Sequence, residues 1–329
     1  MSSAMIFPPL ACFGLSAIFS RLLFQLWAPV CVRWGLVDEP GPRKLHARAV
    51  PLAGGLAIFS ALLLTILFVF LATRVGWLRA PEWRQLVDSW SGVRGEWLSL
   101  LGGGVLALLL GVWDDRCELV AAPKFIGQLL VAAAVVAGGL RGPFVCGHPM
   151  LDGAVTAVWV IGVMNAVNFM DNMNGLCAGL GAVGGLQLGC DALQRGDGVE
   201  MALSFSLAGA ALGFLPVNYP RARAFLGDAG SHGIGCLLAV LGLVLPERLA
   251  RSEAGVWLPA PLLILAVPIL DLLWVVLLRW KSGRPFYLGD TQHLSHRLVR
   301  RGLSPAAAVA VIWILAAAIG ALAWRFRAR

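Results

Sequence analysis

Long apolar segments alternate with short polar segments along almost the whole chain. Charged residues, glycine or proline bound each apolar segment. Several segments reach the roughly 20 residues that a helix needs to cross a bilayer, and the shorter ones suit helices whose ends line a protein cavity. The pattern predicts membrane helices at 5–28, 52–73, 98–113, 123–140, 152–169, 175–194, 201–219, 233–247, 258–279 and 305–324. We therefore expect an all-α, polytopic integral membrane protein in which residues 1–329 form a single domain.

The composition agrees with this prediction, because 59% of the 329 residues are hydrophobic, only 13% are charged, and the mean hydropathy is +0.80. A soluble domain of this size needs more polar surface. The net charge of +8 suits anionic lipid headgroups or an anionic substrate. No basic, aromatic-rich soluble segment is present that would bind nucleic acid. The seven cysteines are scattered without a C-x-x-C pair, so they indicate neither a disulfide framework nor a metal site.

The polar segments fall into two sets on opposite sides of the membrane. Alternation of the predicted helices places one set together, at 30–51, 114–122, 165–174, 220–232 and 280–304. This set carries a small excess of lysine and arginine, which favours the cytoplasmic side of a cell membrane and places both termini outside. The tryptophan-rich segment 77–97 on the other side indicates a helix lying in the outer interface.

The segment GVWDDRCEL places Asp114 and Asp115 at the end of a predicted membrane helix. A carboxylate near hydrocarbon costs about 2.5–3.5 kcal/mol on insertion scales, and adjacent carboxylates repel each other. A Mg²⁺ ion would offset both effects, because it binds one or two protein carboxylates together with substrate phosphate oxygens. Lys124, which opens the next predicted helix, could bind phosphate as a point charge. A helix end solvated by water is the alternative.

The segment NAVNFMDNMNGL carries a polar side chain at every third position, at Asn165, Asn168, Asp171 and Asn174. An ideal α-helix turns about 100° per residue, so it would not align all of them on one face. The spacing predicts that the helix ends or tightens into a 3₁₀ turn near Asp171, with Gly175 starting the next helix. Asn168 and Asp171 would then face the membrane surface.

Two further segments on this side combine glycine with positive charge. DEPGPRKLHARAVPLAGG includes Lys44 and His46, and its pair Gly54–Gly55 would let backbone approach a ligand closely. An ordinary positively charged loop is the alternative. In GFLPVNYPRARAFLGDAGSHGIG, Asn218 follows an apolar run and Asp228 lies in a glycine-flanked turn. The next helix N-terminus could face an anion, although such a segment alone is usually a turn.

The last polar segment, GDTQHLSHRLVRRGLS, contains His293, His296 and Arg297. The two histidines are three residues apart and could share a helix face. Metal ligation by this pair is open, but histidines beside arginines more often contact phosphate. The remaining isolated polar residues are interpreted as structural, namely His148, Asp152, His232 and Asp271.

All these polar segments lie on one membrane face and supply complementary groups. Acidic residues suit a divalent cation, basic residues suit phosphates, and amides suit a base or a sugar. This combination is typical of phosphoryl transfer, in which positioning and charge neutralisation provide most of the catalysis.

The ordered segments RKLH…VPLAGG, DDR…KF, NFMDNMNG, GFLPVN…FLGDAGS and HLSHRL resemble the polyprenyl-phosphate N-acetylhexosamine-1-phosphate transferase superfamily. The resemblance extends from about Asp38 to Ser304. It is nearer to the undecaprenyl-phosphate N-acetylglucosamine-1-phosphate transferases than to the phospho-N-acetylmuramoyl-pentapeptide translocases. It implies transfer of a sugar 1-phosphate from a UDP-N-acetylhexosamine to undecaprenyl or another polyprenyl phosphate, with release of UMP. The lipid product would start synthesis of a cell-envelope glycan.

The resemblance also implies a Mg²⁺ or Mn²⁺ cofactor and a role for each matching residue. Asp114 and Asp115 would lie at the metal and the acceptor phosphate, and Asp228 would be a metal ligand. The positions near the nucleotide would be Asn168, Asp171, Asn218 and Phe225, and the basic residues and histidines would surround the phosphates. The predicted catalytic residues are Asp114, Asp115, Asp171, His293 and His296. The predicted metal ligands are Asp115 and Asp228. The predicted substrate-binding residues are Lys44, His46, Lys124, Asn168, Asn174, Asn218, Phe225 and Arg297.

The chain departs from the family pattern at two positions. Many members carry a second carboxylate where this chain has Asn174, and an amide there suits a hydrogen bond better than metal binding. Ser295 replaces the middle histidine of the frequent H-x-H-H cluster. The run DDR in place of three aspartates, and the order His293–x–x–His296–Arg297, argue against the pentapeptide translocase branch.

Alternative functions are a pentapeptide translocase-like enzyme, a transporter for an anionic lipid-linked substrate, and a non-catalytic scaffold. A transporter predicts charge near mid-span and internal repeats. Here the charges cluster at helix ends and no repeat is evident. The acidic positions argue against a scaffold, and a homodimer stays open.

Overall fold

A computed structural model describes residues 6–41, 48–91, 98–140, 148–251, 259–285 and 291–327. Almost all regular structure in these residues is helical, which confirms the all-α prediction. The helices are α1 (Phe7–Trp34), α2 (Gly54–Arg74), α3 (Pro81–Ser91), α4 (Gly103–Cys117), α5 (Ala121–Ala137), α6 (Pro149–Phe169), α7 (Leu176–Arg195), α8 (Gly198–Asn218), α9 (Gly227–Arg251), α10 (Pro259–Ile264), α11 (Ala266–Lys281), α12 (Leu294–Arg300) and α13 (Pro305–Arg327). A π-helical turn, Leu98–Gly102, leads into α4.

Within the described residues, seven helices are long and apolar enough to cross a membrane, namely α1, α2, α6, α7, α8, α9 and α13. The shorter α5 is also apolar. Each predicted apolar segment contains a helix, with ends that differ by a few residues. The predicted segment 258–279 is wrong as a single helix, because it breaks at Leu265 into α10 and α11. Pro268 explains the break, since proline lacks an N–H and its ring collides with the carbonyl of residue Ile264 in a continuous helix.

The most buried helix is α9, which packs against α2, α4, α6 and α7 at the centre of the bundle. Helices α1 and α13 lie at the periphery and leave large apolar side chains exposed, as lipid-facing helices do. Small residues allow the inner helices to approach closely. A Cβ atom at Gly185 of α7, for example, would lie 2.9 Å from the Ser204 carbonyl oxygen of α8.

A short antiparallel pairing joins β1 (Val37–Asp38) to β2 (Val50–Pro51) beside the N-terminus of α2. The following chain is tied to the loop before α9 by backbone hydrogen bonds. Phe225 donates to the Pro51 carbonyl at 3.0 Å, and Gly54 donates to the Phe225 carbonyl at 3.0 Å. These bonds bring two polar segments together that are far apart in sequence.

The pair Gly54–Gly55 serves the packing of helices in the structure. A Cβ atom at Gly55 would lie 2.3 Å from the backbone nitrogen of Gly230, and one at Gly54 would lie 2.4 Å from the Phe214 ring. The close approach predicted for this pair is therefore an approach of α2 to α8 and α9.

Candidate active site

The two adjacent aspartates at the end of α4 point to different partners. The Asp114 carboxylate is buried, and its Oδ1 accepts a hydrogen bond from the Leu119 amide at 2.9 Å. This bond fixes the turn between α4 and α5, where Glu118 takes a left-handed conformation. Asp114 Oδ2 faces the side chain of Lys124 at 2.6 Å.

Lys124, in the first turn of α5, links two carboxylates. Its ammonium lies 2.6 Å from Asp114 Oδ2 and 3.3 Å from Asp228 Oδ2. Its side chain is mostly buried, so water screens these ion pairs less than it would at a surface. One positive charge here balances two negative charges that come from positions more than 100 residues apart.

Asp115 holds the N-terminus of α9. Its Oδ1 accepts a hydrogen bond from the Asp228 amide at 2.7 Å, and its Oδ2 accepts one from the Ala229 amide at 3.0 Å. A carboxylate at a helix N-terminus satisfies free amides and interacts favourably with the helix dipole. Gly227, with φ of +75°, lets the chain turn into α9, and a Cβ atom there would lie 2.6 Å from Asp115 Oδ2.

The end of α6 brings an amide and a further carboxylate to the same place. Asn168 Nδ2 donates to Asp228 Oδ1 and, at 2.8 Å, to Ser231 Oγ. The helix then ends at Phe169, and the Asp171 amide donates to the Asn168 carbonyl in a turn of 3₁₀ type. This confirms the helix end predicted near Asp171, and Gly175 precedes α7 with φ of +80°.

Asp171 lies in that turn, and its carboxylate makes no hydrogen bond or ion pair within the described residues. Burial, together with the charges of Asp228 and Asp115, raises the pKa of the Asp171 carboxyl to about 8. Burial is the larger cause of this shift, and the neighbouring carboxylates add to it because they outnumber the cations. Lys124 alone does not balance the acidic cluster, which we define as Asp114, Asp115, Asp171 and Asp228.

A layer of neutral polar side chains supports the cluster from the membrane side. His232 is fully buried, and its Nδ1 lies 2.9 Å from the Asp228 carbonyl oxygen. With Nδ1 donating that bond, Nε2 accepts from Gln128 Nε2 at 3.2 Å. Gln128 Nε2 also donates to Asn165 Oδ1 at 3.2 Å, and Asn165 Nδ2 donates to Gln128 Oε1 at 2.8 Å.

From the sequence alone, His232 is interpreted as structural and Gln128 has no predicted role. Helical spacing was the signal that could have found both. His232 follows Asp228 by four residues, and Gln128 follows Lys124 by four, so each shares a helix face with a residue of the site.

A cavity of about 530 Å³ opens on one side of the acidic cluster, and we call it the polar cavity because half of its lining residues carry charged or amide side chains. Its lining includes Asp171, Asn174, Asn218, Phe225 and Gly227. Further lining residues are Asp38 and Arg221. Three residues that the resemblance places near a nucleotide, Asp171, Asn218 and Phe225, line this cavity, whereas Asn168 lines the cavity on the other side.

Asn218 shapes this polar cavity by joining two loops. Its Oδ1 accepts from the Gly175 amide at 2.6 Å, and its Nδ2 donates to the Ala224 carbonyl at 2.9 Å. Asn174 Nδ2 donates to the Pro220 carbonyl at 3.2 Å, a hydrogen-bonding role that suits an amide. Both side chains therefore hold the cavity wall as well as lining it.

An apolar cavity of about 620 Å³ lies on the other side of the cluster, between α5, α6 and α11. Phe125, Leu272 and Val276 form part of its apolar wall, and Lys124 and Asn168 line its polar end. Because Lys124 and Asn168 both contact Asp228, the acidic cluster stands between the apolar and the polar cavity.

His293 directly precedes α12 and contacts Phe169 of the apolar cavity wall, and His296 lies on α12. His293 Nδ1 is 2.6 Å from Asp271 Oδ2, and the Leu294 amide donates to Asp271 Oδ1 at 2.7 Å. The His293 ring packs edge-on against Phe169, with 5.6 Å between centroids. The His296 ring is 6.3 Å from that of His293. Asp271, interpreted as structural, therefore orients a predicted catalytic residue.

Ser295 connects α12 to the turn after α6. Its Oγ donates to Asn172 Oδ1 at 2.6 Å. Arg297 points elsewhere, and its guanidinium lies 5.0 Å from the centre of the Trp274 ring. Lys44 and His46 lie outside the described residues, so their predicted roles stay predictions.

The acidic cluster is the candidate site for the Mg²⁺ ion that the resemblance implies. Within the described part of the chain, no three histidine, cysteine or acidic side chains converge closely enough to hold an ion by themselves. Mg²⁺ does not require this, since it binds through one or two carboxylates and completes its shell with phosphate and water. Asp114 Oδ2 is buried, has no hydrogen bond among the described residues and forms an ion pair with Lys124. Asp114 and Asp228, which meet at the Lys124 ammonium, offer the one or two carboxylates that Mg²⁺ needs beside phosphate and water.

A family model described as glycosyl transferase family 4 matches residues 97–245. The matched range includes the acidic cluster, Lys124, Asn168 and Asn218. Relatives extend the similarity beyond this range.

A probable undecaprenyl-phosphate N-acetylglucosaminyl 1-phosphate transferase of Bacillus subtilis is 30% identical over 297 residues, which cover 87% of this chain and 76% of the relative. A decaprenyl-phosphate N-acetylglucosaminephosphotransferase of Mycobacterium tuberculosis is 33% identical over 317 residues, which cover 88% of this chain and 76% of the relative. A phospho-N-acetylmuramoyl-pentapeptide-transferase of Synechococcus is 31% identical over 334 residues, which cover 95% of this chain and 90% of the relative.

Proposed function

Since the chain belongs to glycosyl transferase family 4, we propose that this multi-pass membrane protein transfers N-acetylglucosamine 1-phosphate from its UDP-linked donor to a polyprenyl phosphate. The reaction forms a lipid-linked sugar pyrophosphate and releases UMP. The donor and the metal ion come from the family resemblance, and the acceptor agrees with the names of the B. subtilis and M. tuberculosis relatives.

The position of the acidic cluster between two unlike cavities is the observation that carries this proposal. The apolar cavity suits a polyprenyl chain, and its polar end at Lys124 suits the lipid phosphate. The polar cavity suits the nucleotide sugar, with Phe225 and the amides of Asn174 and Asn218 in its wall. The two phosphates would then meet at Asp228, where the transfer requires them.

In the proposed reaction, an oxygen of the lipid phosphate forms a bond to the β-phosphorus of the donor. The bond from that phosphorus to the bridging oxygen breaks, and UMP leaves with both electrons of the bond. Phosphate monoesters lose their second proton near pH 6, so the attacking oxygen carries no proton at neutral pH. The task of the protein is therefore to position the phosphates and to offset their charge.

The contacts in the site suggest a different role for each residue in this positioning. Lys124 would bind the acceptor phosphate, and Asn168 would hold Asp228 in its orientation. Asp115 keeps the N-terminus of α9 in place. His293, oriented by Asp271 and packed on Phe169, would act from the apolar cavity side.

The metal would be held by Asp228, with Asp114, Asp115 and Asp171 around it. A Mg²⁺ ion held there would supply positive charge to neutralise the donor phosphates. An excess of carboxylates over cations, as found in the acidic cluster, favours such an ion. Mn²⁺ has the same preference for oxygen ligands and is expected to substitute.

We further propose that the acidic cluster faces the cytoplasm of a cell whose plasma or inner membrane holds the protein. The excess of lysine and arginine in the loops on that side supports this orientation. Both termini would then lie on the outer side.

The direct test is an assay of purified protein in detergent with UDP-N-acetylglucosamine, undecaprenyl phosphate and Mg²⁺. We expect UMP release that depends on both substrates, stops with a chelator and returns with Mg²⁺ or Mn²⁺. Asp228→Asn should reduce the rate by at least about 10²-fold while the thermal melting temperature stays close to that of wild type. Failure to release UMP from any UDP-N-acetylhexosamine would refute the transferase proposal.

A panel of donors separates this proposal from the related enzyme class. UDP-N-acetylglucosamine should be used in preference to UDP-N-acetylmuramoyl-pentapeptide. The reverse preference would assign the chain to the reaction named for the Synechococcus relative. A rate unchanged by chelation would contradict the metal assignment alone.

A further inference from the structure

A second apolar groove, of about 210 Å³, lies between α11, α12 and α13. Leu270 and Trp274 of α11 form one wall, and Leu315 and Ile319 of α13 form another. Arg297 of α12 lines it as well. We call this space the α11–α13 groove.

The α11–α13 groove lies on the opposite side of α11 from the apolar cavity of the active site. Leu272 and Val276 line the cavity, whereas Leu270 and Trp274 line the groove. Residues two apart on a helix point about 200° apart around its axis, so the helix separates the two spaces. A lipid in the groove would therefore be a different molecule from the acceptor beside Lys124.

The walls of the groove face the surrounding membrane. Leu270 is 59% exposed, Trp274 43% and Leu315 41% in the isolated protein. In a membrane-spanning protein, exposed apolar side chains of this kind contact acyl chains. A lipid chain is thus the natural occupant of the apolar part of the groove.

Arg297 gives the groove a charged end. Its guanidinium stacks on the Trp274 ring at 5.0 Å, a contact that holds the planar group in place. It makes no hydrogen bond or ion pair with any other described residue, although a guanidinium has five N–H donors. The Asp271 carboxylate in the groove wall already accepts from His293 and Leu294. A half-buried arginine at a membrane face without an anionic partner is unfavourable, so an anion from outside the protein would stabilise it.

We propose that the α11–α13 groove binds an anionic membrane phospholipid, with its phosphodiester on Arg297 and an acyl chain along Leu270, Trp274 and Leu315. A phosphodiester offers two oxygens to the guanidinium fork, which is the favoured geometry for an arginine–phosphate pair. Asp271 lines the groove and also contacts His293. The bound lipid would therefore lie next to the residue that orients the active-site histidine.

Native mass spectrometry of the delipidated full-length protein tests the proposal without any need for activity. The probes are phosphatidylglycerol and phosphatidylcholine with the same acyl chains. We expect one phosphatidylglycerol to bind in preference to phosphatidylcholine, and Arg297→Gln to weaken that binding by about tenfold or more. Arg33→Gln is the matched control, because it removes one exposed cation from the end of α1 without touching the groove.

A second variant tests whether lipid binding requires the space of the groove as well as the charge of Arg297. Leu270→Trp keeps Arg297 but fills the groove, and it should also release the bound phosphatidylglycerol. Glycerol 1-phosphate, which lacks acyl chains, should not compete at equal concentration. Equal weakening by Arg297→Gln and Arg33→Gln, unchanged binding to Leu270→Trp, or full competition by glycerol 1-phosphate would each overturn the proposal.

Discussion

Both carboxylate oxygens, the amide and the carbonyl of Asp228 have partners in the structure. Its carboxylate accepts from Asn168 and pairs with Lys124, its amide donates to Asp115, and its carbonyl lies 2.9 Å from His232 Nδ1. A residue held at so many atoms has one orientation, which is what a site that positions phosphates needs. The same contacts explain why position 168 carries an amide, since only a donor can face the carboxylate there.

Asn168→Asp is predicted to impair turnover strongly. The new carboxylate cannot donate to Asp228 Oδ1, and two like charges would repel each other. Loss of one oriented donor in an active site typically costs about 10²-fold or more in kcat, and we expect a loss of that order in UMP release.

Ser231→Ala serves as the control for Asn168→Asp. It removes the other acceptor of the Asn168 amide but leaves the bond to Asp228. Its loss should stay below about tenfold, as for a neutral hydrogen bond. A nearly normal rate for Asn168→Asp would contradict the role given to this contact.

At the scale of helices, the site depends on close crossings at the ends of α2, α4 and α9. A Cβ atom at Gly111 of α4 would lie 2.2 Å from the Asp228 carbonyl oxygen, and one at Gly55 of α2 would lie 2.3 Å from the Gly230 nitrogen. The atoms in contact are backbone, so they cannot move away as a side chain would. Glycine at these positions therefore sets the distance between the helices that carry the acidic cluster.

Gly55→Ala is predicted to lower both stability and activity. Overpacking of a tight contact usually costs about 1–3 kcal/mol, which should appear as a lower melting temperature in detergent. The shifted α9 should also reduce UMP release by the folded fraction.

Gly14→Ala is the matched control, because nothing lies within 4 Å of a Cβ atom at that position of α1. Alanine favours a helix over glycine by about 1 kcal/mol, so this variant should melt at or above the wild-type temperature. If Gly55→Ala behaved in the same way, the crossing of α2 and α9 would not be as tight as described.

At the scale of the whole molecule, a second charged cluster lies at the far end of α7 from the acidic cluster. Helix α7 has 20 residues, which corresponds to a length of about 30 Å. At its far end, Arg195 contacts three buried carboxylates, with 3.0 Å to Asp191, 3.7 Å to Asp197 and a close contact to Glu200. These contacts join α7 to α8 where the chain passes between them.

Arg195→Met is predicted to destabilise the protein by about 3–5 kcal/mol, because it leaves buried carboxylates without their cation. The measurement is thermal or denaturant unfolding in detergent. Turnover per folded molecule should stay close to wild type, since the cluster is remote from the acidic cluster.

Arg74→Met provides the comparison for this prediction. Arg74 and Asp88 form an ion pair of 3.6 Å whose side chains are 52% and 67% exposed, so its loss should cost less than about 1 kcal/mol. Equal destabilisation by the two variants would show that burial does not govern the Arg195 contacts.

The sequence alone determined the all-α membrane architecture, the positions of most helices, and the identity of the acidic and basic residues at one end of them. These follow from local properties, because the length and apolarity of a segment decide whether it can form a membrane helix. The end of α6 near Asp171 also followed from the sequence, since the three-residue spacing does not match the helical repeat. The family was recognisable from the ordered motifs.

The partners of each side chain were decided only by the tertiary structure. Asp115 caps α9 across 113 positions of sequence, and Gly55 lies at a close crossing of α2 and α9. His232 and Asp271 contact residues of the site, although in the sequence they are isolated polar residues with no predicted functional role. Arg297 lines the α11–α13 groove because its guanidinium stacks on Trp274 of α11. Such contacts depend on how distant helices pack, and the local hydrophobic pattern carries no information about that packing.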